Sequence, residues 1–390
     1  MKNFDIVKIS TLDVITLKLY SLFWGSLFLI KQLLKNLWVT NLKENSSGNP
    51  PGCLIDNTLG QHSYIKLKEV KLHYIEAGEK RHPLVIMLHG FPDCWISWHY
   101  QIPVLAKHFR VIAMDMKGFG DSDKPRSRSS YEVKKLAKEF NDLIAKLGCR
   151  RCIIIGHDIG ALFGWFIVHM YPEIVEKFVA ISAPHPNLYW STLPSTGEFN
   201  SRWVQFCQLP ELPEIKALDG DLVILNNVYT HLVKDSGKQE YLDAYKYAFA
   251  RKEDWTGAIN YFRTFPYWRL NINESYQVST LLITGNKDKS VLIESIIQST
   301  DFVEKFSLKV INNASHFPHQ EQPDEVNKVL LNFLIGNSNP VADRDKPSNN
   351  GLVNRMFGAV SNTVKYGNSV LDVVQKRTNG LTARALGYDS

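Results

Sequence analysis

The sequence predicts an α/β fold: a mostly parallel sheet flanked by helices, with a helical cap inserted between its two halves. Three observations carry this. Short, wholly apolar runs alternate with segments of helical periodicity over about residues 61–186 and again over 274–336, as a parallel sheet covered on both faces requires. Between them, residues 187–273 are polar-helical and dense in aromatic rings, among them Trp190, Trp203, Phe206, Trp255, Tyr261, Phe262 and Tyr267. One apolar run, Cys152-Ile153-Ile154-Ile155, leads directly into Gly156-His157-Asp158-Ile159-Gly160. There, small residues flank an acid at a sharp strand-to-helix turn, which would lift the central side chain to the top of the sheet.

Taken in order, the chain opens with residues 1–43, read as a membrane anchor or interfacial helix. Residues 19–30 are almost wholly apolar, residues 14–17 extend the stretch past Lys18, and Lys31 and Lys35 close it. About 20 residues suffice for a bilayer core when flanking lysines snorkel. With no small-residue cleavage site, a retained anchor is expected rather than a removable signal. Basic residues on both sides leave orientation open, and spanning and lying flat both fit.

Residues 44–60, rich in Asn, Ser, Pro and Gly, read as a linker. Alternation around residues 63–66 and 71–74 gives two antiparallel opening strands. Leu84–Leu88 is an apolar strand ending in His89-Gly90-Phe91-Pro92, and residues 111–114 form another, followed by Asp115-Met116-Lys117-Gly118-Phe119-Gly120-Asp121-Ser122-Asp123. Over residues 133–147, Leu136, Phe140, Leu143, Ile144 and Leu147 share one helical face. The first half of the core ends near residue 186. After the cap, residues 280–284 run into Gly285-Asn286-Lys287-Asp288, and Val310-Ile311 lead to Asn312-Asn313-Ala314-Ser315-His316-Phe317. A helix over residues 325–334 closes the core. Residues 337–350 are a second linker, and 351–390 an amphipathic extension with apolar positions at four- and three-residue steps from Leu352. The protein's own surface, a coiled-coil-like partner and a lipid surface are all open to it.

Composition narrows the function classes. At 390 residues, with 44% hydrophobic and 22% charged, the chain has a sizeable core. Its net charge of +6 is spread out, with no basic face interleaved with aromatics, so nucleic acid is not an expected partner. Five cysteines at unpatterned spacing argue against a disulfide framework, and Cys149-Arg150-Arg151-Cys152 lacks the second pair that zinc would need. No metal or organic cofactor is expected.

Asp158 sets the chemistry. A carboxylate at this turn, in place of a serine, displaces a leaving group from an alkyl carbon and forms an ester that water must cleave. Acid and histidine follow in the chain order Asp158…Asp288…His316. Together with His89-Gly90-Phe91-Pro92, the Asp115–Asp123 stretch and Ser315-His316-Phe317-Pro318-His319-Gln320-Glu321-Gln322-Pro323, over about residues 62–336, this set resembles the epoxide hydrolases of the α/β-hydrolase fold. The likeness is greatest to the animal branch with an N-terminal membrane anchor, which implies a membrane location at the endoplasmic reticulum. It implies hydrolysis of an apolar, lipid-like epoxide to a diol by Asp158, with His316 as base, Asp288 orienting it, and the main-chain N–H groups of Phe91 and Ile159 as oxyanion hole.

The chain departs from that family at the cap. Two tyrosines usually lie over the ring oxygen; by likeness to the family's patterns these positions hold Trp203 and Phe262. An indole N–H donates a hydrogen bond but is no useful acid, and a phenyl ring does neither. Tyr261, one residue away, would point about 100° off on a helix. A weak epoxide hydrolase is therefore expected. A dehalogenase of the same fold, whose leaving halide needs no proton, and a low-turnover hydrolase-fold binding protein stay open. Ile159, where haloalkane dehalogenases carry a halide-binding Trp, speaks against the dehalogenase.

Overall fold

The computed structural model describes residues 6–36, 48–233, 238–271 and 275–336. The linker at 337–350 and the amphipathic extension at 351–390 lie outside the described residues.

Ten strands run in chain order: β1 (Ile6–Lys8), β2 (Gln61–Lys66), β3 (Lys71–Ala77), β4 (Leu84–Leu88), β5 (Arg110–Met114), β6 (Cys152–His157), β7 (Val175–Ile181), β8 (Trp268–Leu270), β9 (Ser279–Gly285) and β10 (Phe306–Ile311). Eight form one sheet in the order β10-β9-β7-β6-β4-β5-β3-β2. The β2–β3 and β3–β5 pairings are antiparallel, and the remaining five are parallel. Every residue of β4, β5 and β6 is buried. Covered on both faces, these strands carry no polar alternation, which is why they read as unbroken apolar runs.

Helix Val133–Lys146 buries Leu136, Phe140, Leu143 and Ile144 against the sheet. Helix Ile159–Met170, buried along almost its whole length, passes directly behind the nucleophile turn. Pro323–Ile335 closes the core.

The cap holds helices Pro186–Thr192, Ser201–Phe206, Leu212–Val228, Thr230–Val233, Gln239–Ala248 and Lys252–Thr264. Buried Arg263 knits it together, with Nη1 donating to Glu214 Oε1 at 2.9 Å and Nε to the Cys207 carbonyl at 2.8 Å. Gln208 Nε2 donates to the Phe262 carbonyl at 2.7 Å. These bonds fix the rotation of the two helices that carry Trp203 and Phe262.

Two features of the N-terminal region are not marked in the sequence. β1 pairs antiparallel with β8, Ile6 opposite Leu270, at the exit of the cap. Helix Thr11–Asn36 then lies against the cap rather than standing apart from it. Part of the linker packs too: the Cys53 N–H donates to Glu240 Oε1 at 2.9 Å. All five cysteines are free.

Candidate active site

Asp158 sits between the end of β6 and helix Ile159–Met170 with φ 47° and ψ −119°, a conformation that L residues adopt only when their surroundings hold them there. Its flanking glycines make the turn possible. A Cβ on Gly160 would stand 2.4 Å from the carbonyl oxygens of Leu88 and His89, and one on Gly156 2.6 Å from Ala161 Cα.

The two carboxylate oxygens of Asp158 face different groups. Oδ2 accepts the Phe91 N–H at 3.1 Å, and the Ile159 N–H faces the same carboxylate. Oδ1 lies 3.8 Å from His316 Nε2. On the other side of the ring, His316 Nδ1 meets Asp288 Oδ2 at 2.9 Å. Asp288 in turn accepts the Ser290 N–H at 2.7 Å, which holds its carboxylate in place. β6, β9 and β10 thus bring Asp158, Asp288 and His316 to one end of the sheet.

The charges reinforce one another. Burial alone would raise the Asp158 pKa, but the hydrogen bond and charge of His316 outweigh it and hold the carboxyl below its ordinary range. Burial would likewise strip the proton from His316, yet Asp288 first and then Asp158 keep it well above the usual imidazole value. Both shifts favour the charged forms, carboxylate facing imidazolium.

Apolar cap rings pack on Phe91, whose N–H meets Asp158. Phe262 packs at 4.8 Å and Trp203 at 6.2 Å from the Phe91 ring, both nearly inaccessible to solvent. The buried Trp203 Nε1 has no hydrogen-bond partner among the described residues. Tyr261 points elsewhere, its hydroxyl donating to the Lys117 carbonyl at 3.0 Å. Tyr267 donates to Gln208 Oε1 at 2.9 Å and Tyr229 to the Pro92 carbonyl at 2.7 Å.

Tyr189, on helix Pro186–Thr192, escaped the reading of the sequence. It is buried, and its hydroxyl faces the Asp158 carboxylate. Burial first, then the charges of Asp158 and Asp288, hold its pKa well above the ordinary value. The available signal was its place just after Ala183-Pro184-His185-Pro186, where the chain leaves β7 at the nucleophile's end of the sheet.

Three histidines brace the site. His89 Nδ1 donates to the Gly90 carbonyl at 2.8 Å while Nε2 accepts the Met116 N–H at 3.1 Å, so it fixes the loop bearing Phe91; burial lowers its pKa to about 4, which keeps it neutral. His157 Nε2 meets the His316 carbonyl at 2.8 Å. Behind it, Asp93, His157 and His319 are buried with donor atoms within 4.8 Å of one another, the group among the described residues whose donors could hold a cation.

The sequence model of the alpha/beta hydrolase fold family matches residues 83–323. The chain is 33% identical over 319 residues to human epoxide hydrolase 4, covering 77% of this chain and 88% of that protein. It is 33% identical over 296 residues to epoxide hydrolase 3 of Xenopus tropicalis, covering 73% and 80%. Among solved structures it is similar to an epoxide hydrolase of Bacillus megaterium in complex with an inhibitor, with TM-score 0.61, 27% identity, and coverage of 70% of this chain and all of that one.

Proposed function

Because the chain belongs to the epoxide hydrolase family of the α/β-hydrolase fold, we propose that it opens an apolar, lipid-like epoxide through an ester on Asp158. It would do so while attached to a membrane, that of the endoplasmic reticulum. The observation that carries this is the differentiation of the Asp158 oxygens. Oδ2, which accepts the Phe91 N–H, stays the carbonyl oxygen; Oδ1, on the His316 side, attacks the less hindered ring carbon. The ring C–O bond breaks and the alkoxide needs a proton.

Ester formation then switches His316. Asp158 loses its charge, and with it one of the groups holding the proton on the imidazole. The imidazolium proton replaces the one the opened ring draws from Tyr189. His316, now neutral and oriented by Asp288, takes a proton from water as that water attacks the ester carbonyl, and the Phe91 and Ile159 N–H groups receive the oxyanion. Collapse to carboxylate and diol leaves the imidazole protonated again. The Asp158 carbonyl carbon releases the diol.

Ring opening is the weak step. Trp203 offers only an N–H and Phe262 nothing, which leaves Tyr189, on the carboxylate's own side, as the phenol within the site. Slow epoxide turnover follows. The unpartnered Trp203 N–H favours a second reading, displacement of a halide, which needs a donor and no proton.

A single turnover in ¹⁸O-water tests the scheme. The first diol should carry unlabelled oxygen from Asp158, with the label appearing in the Asp158 peptide. Label in that first diol would mean direct attack by water. Turnover of haloalkanes but not epoxides would favour the second reading, and turnover of neither would leave a binding protein.

A further inference from the structure

Helix Thr11–Asn36 is long enough to cross a bilayer: about 39 Å at 1.5 Å per residue, against a hydrocarbon core of about 30 Å. Its contacts oppose that. The helix is docked along its middle, through Ser21, Trp24, Gly25 and Phe28, which recur at three- and four-residue spacing on one face. Trp24 Nε1 donates to Gln205 Oε1 at 2.7 Å, and Phe28 packs 5.3 Å from the Phe206 ring. The Arg202 guanidinium lies 5.2 Å over Trp24. Leu209 fills the notch at Gly25, where a Cβ would be 2.4 Å from its Cδ1. The N-terminal end is tied as well, by the β1–β8 pair and by the Ile9 N–H on the Tyr267 carbonyl at 3.0 Å.

The middle of a spanning helix is about 15 Å from water on either side. Were this helix to span, the docked cap with Arg202, Gln205 and Gln208 would be drawn into hydrocarbon, where a charged side chain and each unpaired polar group are strongly disfavoured. Spanning and docking exclude each other.

The rest of the helix shows what it meets instead. At 100° per residue, Lys18 and Lys31 fall on opposite flanks of the seam, within about 80° of its centre, while Leu19, Leu22, Phe23, Ile30, Leu33 and Leu34 fill the far side and are exposed. Apolar residues below two flanking cations suit one leaflet, with hydrocarbon beneath and lipid phosphates beside.

We propose that helix Thr11–Asn36 is a monotopic device: docked sideways on the cap, it sinks its far face into one leaflet and does not cross. This rests on the reading that the chain is membrane-attached. It also brings the cap rings on Phe91 close to lipid, because the six-residue helix that meets Phe28 and Trp24 on one side presents Trp203 to Phe91 on the other. An apolar substrate dissolved in the leaflet would need little passage through water.

The test uses the full-length chain in sealed vesicles of zwitterionic and anionic phospholipid, tagged at both ends and treated with protease from outside. Both tags should be lost together, with the protein still in the membrane fraction at high salt and released by detergent. Protection of one tag alone would show a span and overturn the proposal while leaving membrane attachment intact. Recovery in the aqueous phase, as monomer or as dimer through this helix, would overturn both. A chain whose N-terminus begins beyond residue 36 would show a cleaved signal and overturn the proposal. Independently, the pair Trp24→Cys/Gln205→Cys should cross-link in these vesicles with a short bismaleimide, at several times the level of either single variant. Equal levels would show that the helix is not docked.

Discussion

His316→Gln separates the two halves of the reaction. Glutamine keeps a hydrogen-bonding amide near Asp158 but has no basic nitrogen, so attack on the ring survives while cleavage of the ester loses its base. Asp158 also loses the cation 3.8 Å away that holds its carboxyl ionised, so the assay belongs at pH 8, where a carboxylate without that partner is still charged. A positioned base contributes about 10²–10⁴, or roughly 2.7–5.4 kcal/mol at 1.36 kcal/mol per tenfold. Ester cleavage, the faster step, taken at an ordinary rate of about 10 per second, would fall to about 0.1–0.001 per second. That is a lifetime of roughly ten seconds to many minutes, and slower than a ring opening of about 1 per second. Acid quench and intact-mass measurement should therefore find close to one substrate mass added per chain, located on the Asp158 peptide. If the variant shows no adduct with an epoxide that the unaltered protein turns over, no ester lies on the path and the roles given to Asp158 and His316 fail together.

Three further outcomes follow from the same geometry. Tyr189→Phe should lower epoxide turnover about a hundredfold, and adding Phe262→Tyr should restore it, since a positioned acid contributes on the order of a hundred or more; steady-state rates unchanged in both would place the proton donor elsewhere. Gly160→Ala should destabilise the fold by about 1–3 kcal/mol in urea, because its Cβ meets two backbone carbonyl oxygens that cannot swing aside; an unchanged midpoint would contradict the tightness of the turn. Asp158→Asn should alter the pH dependence of stability. The raised His316 pKa adds stability that is present below its ordinary value and lost as pH rises through the folded value. The lowered Asp158 pKa adds stability that is present above its ordinary value and lost as pH falls through the folded one. Urea midpoints should therefore show the unaltered protein losing ground to the variant at both ends of that window, and parallel pH curves would refute the pairing.

The parallel strands were legible because burial on both faces leaves one signal, an unbroken apolar run such as Leu84–Leu88. The nucleophile turn was legible because its backbone demands small residues at fixed spacing. Asp288 and His316 were found from the strands that precede them, since a strand end fixes where the next side chain stands. Tyr189 was not, because its direction depends on the angle at which helix Pro186–Thr192 leaves β7. The seam of Ser21, Trp24, Gly25 and Phe28 was hidden for another reason: in a helix apolar nearly all round, no contrast marks the face that docks. β1 and β8, three residues each, are too short for periodicity to show.

The pairing of Ile6 with Leu270 also sets an order of events during synthesis. β1 is made well before its partner, which does not appear until the whole cap has been made. At 5–20 residues per second this interval is on the order of ten seconds to a minute. Throughout it, the apolar helix that follows β1 is without its docking surface, which makes lipid the ready early partner. The cap would then be completed beside a membrane the chain had already found.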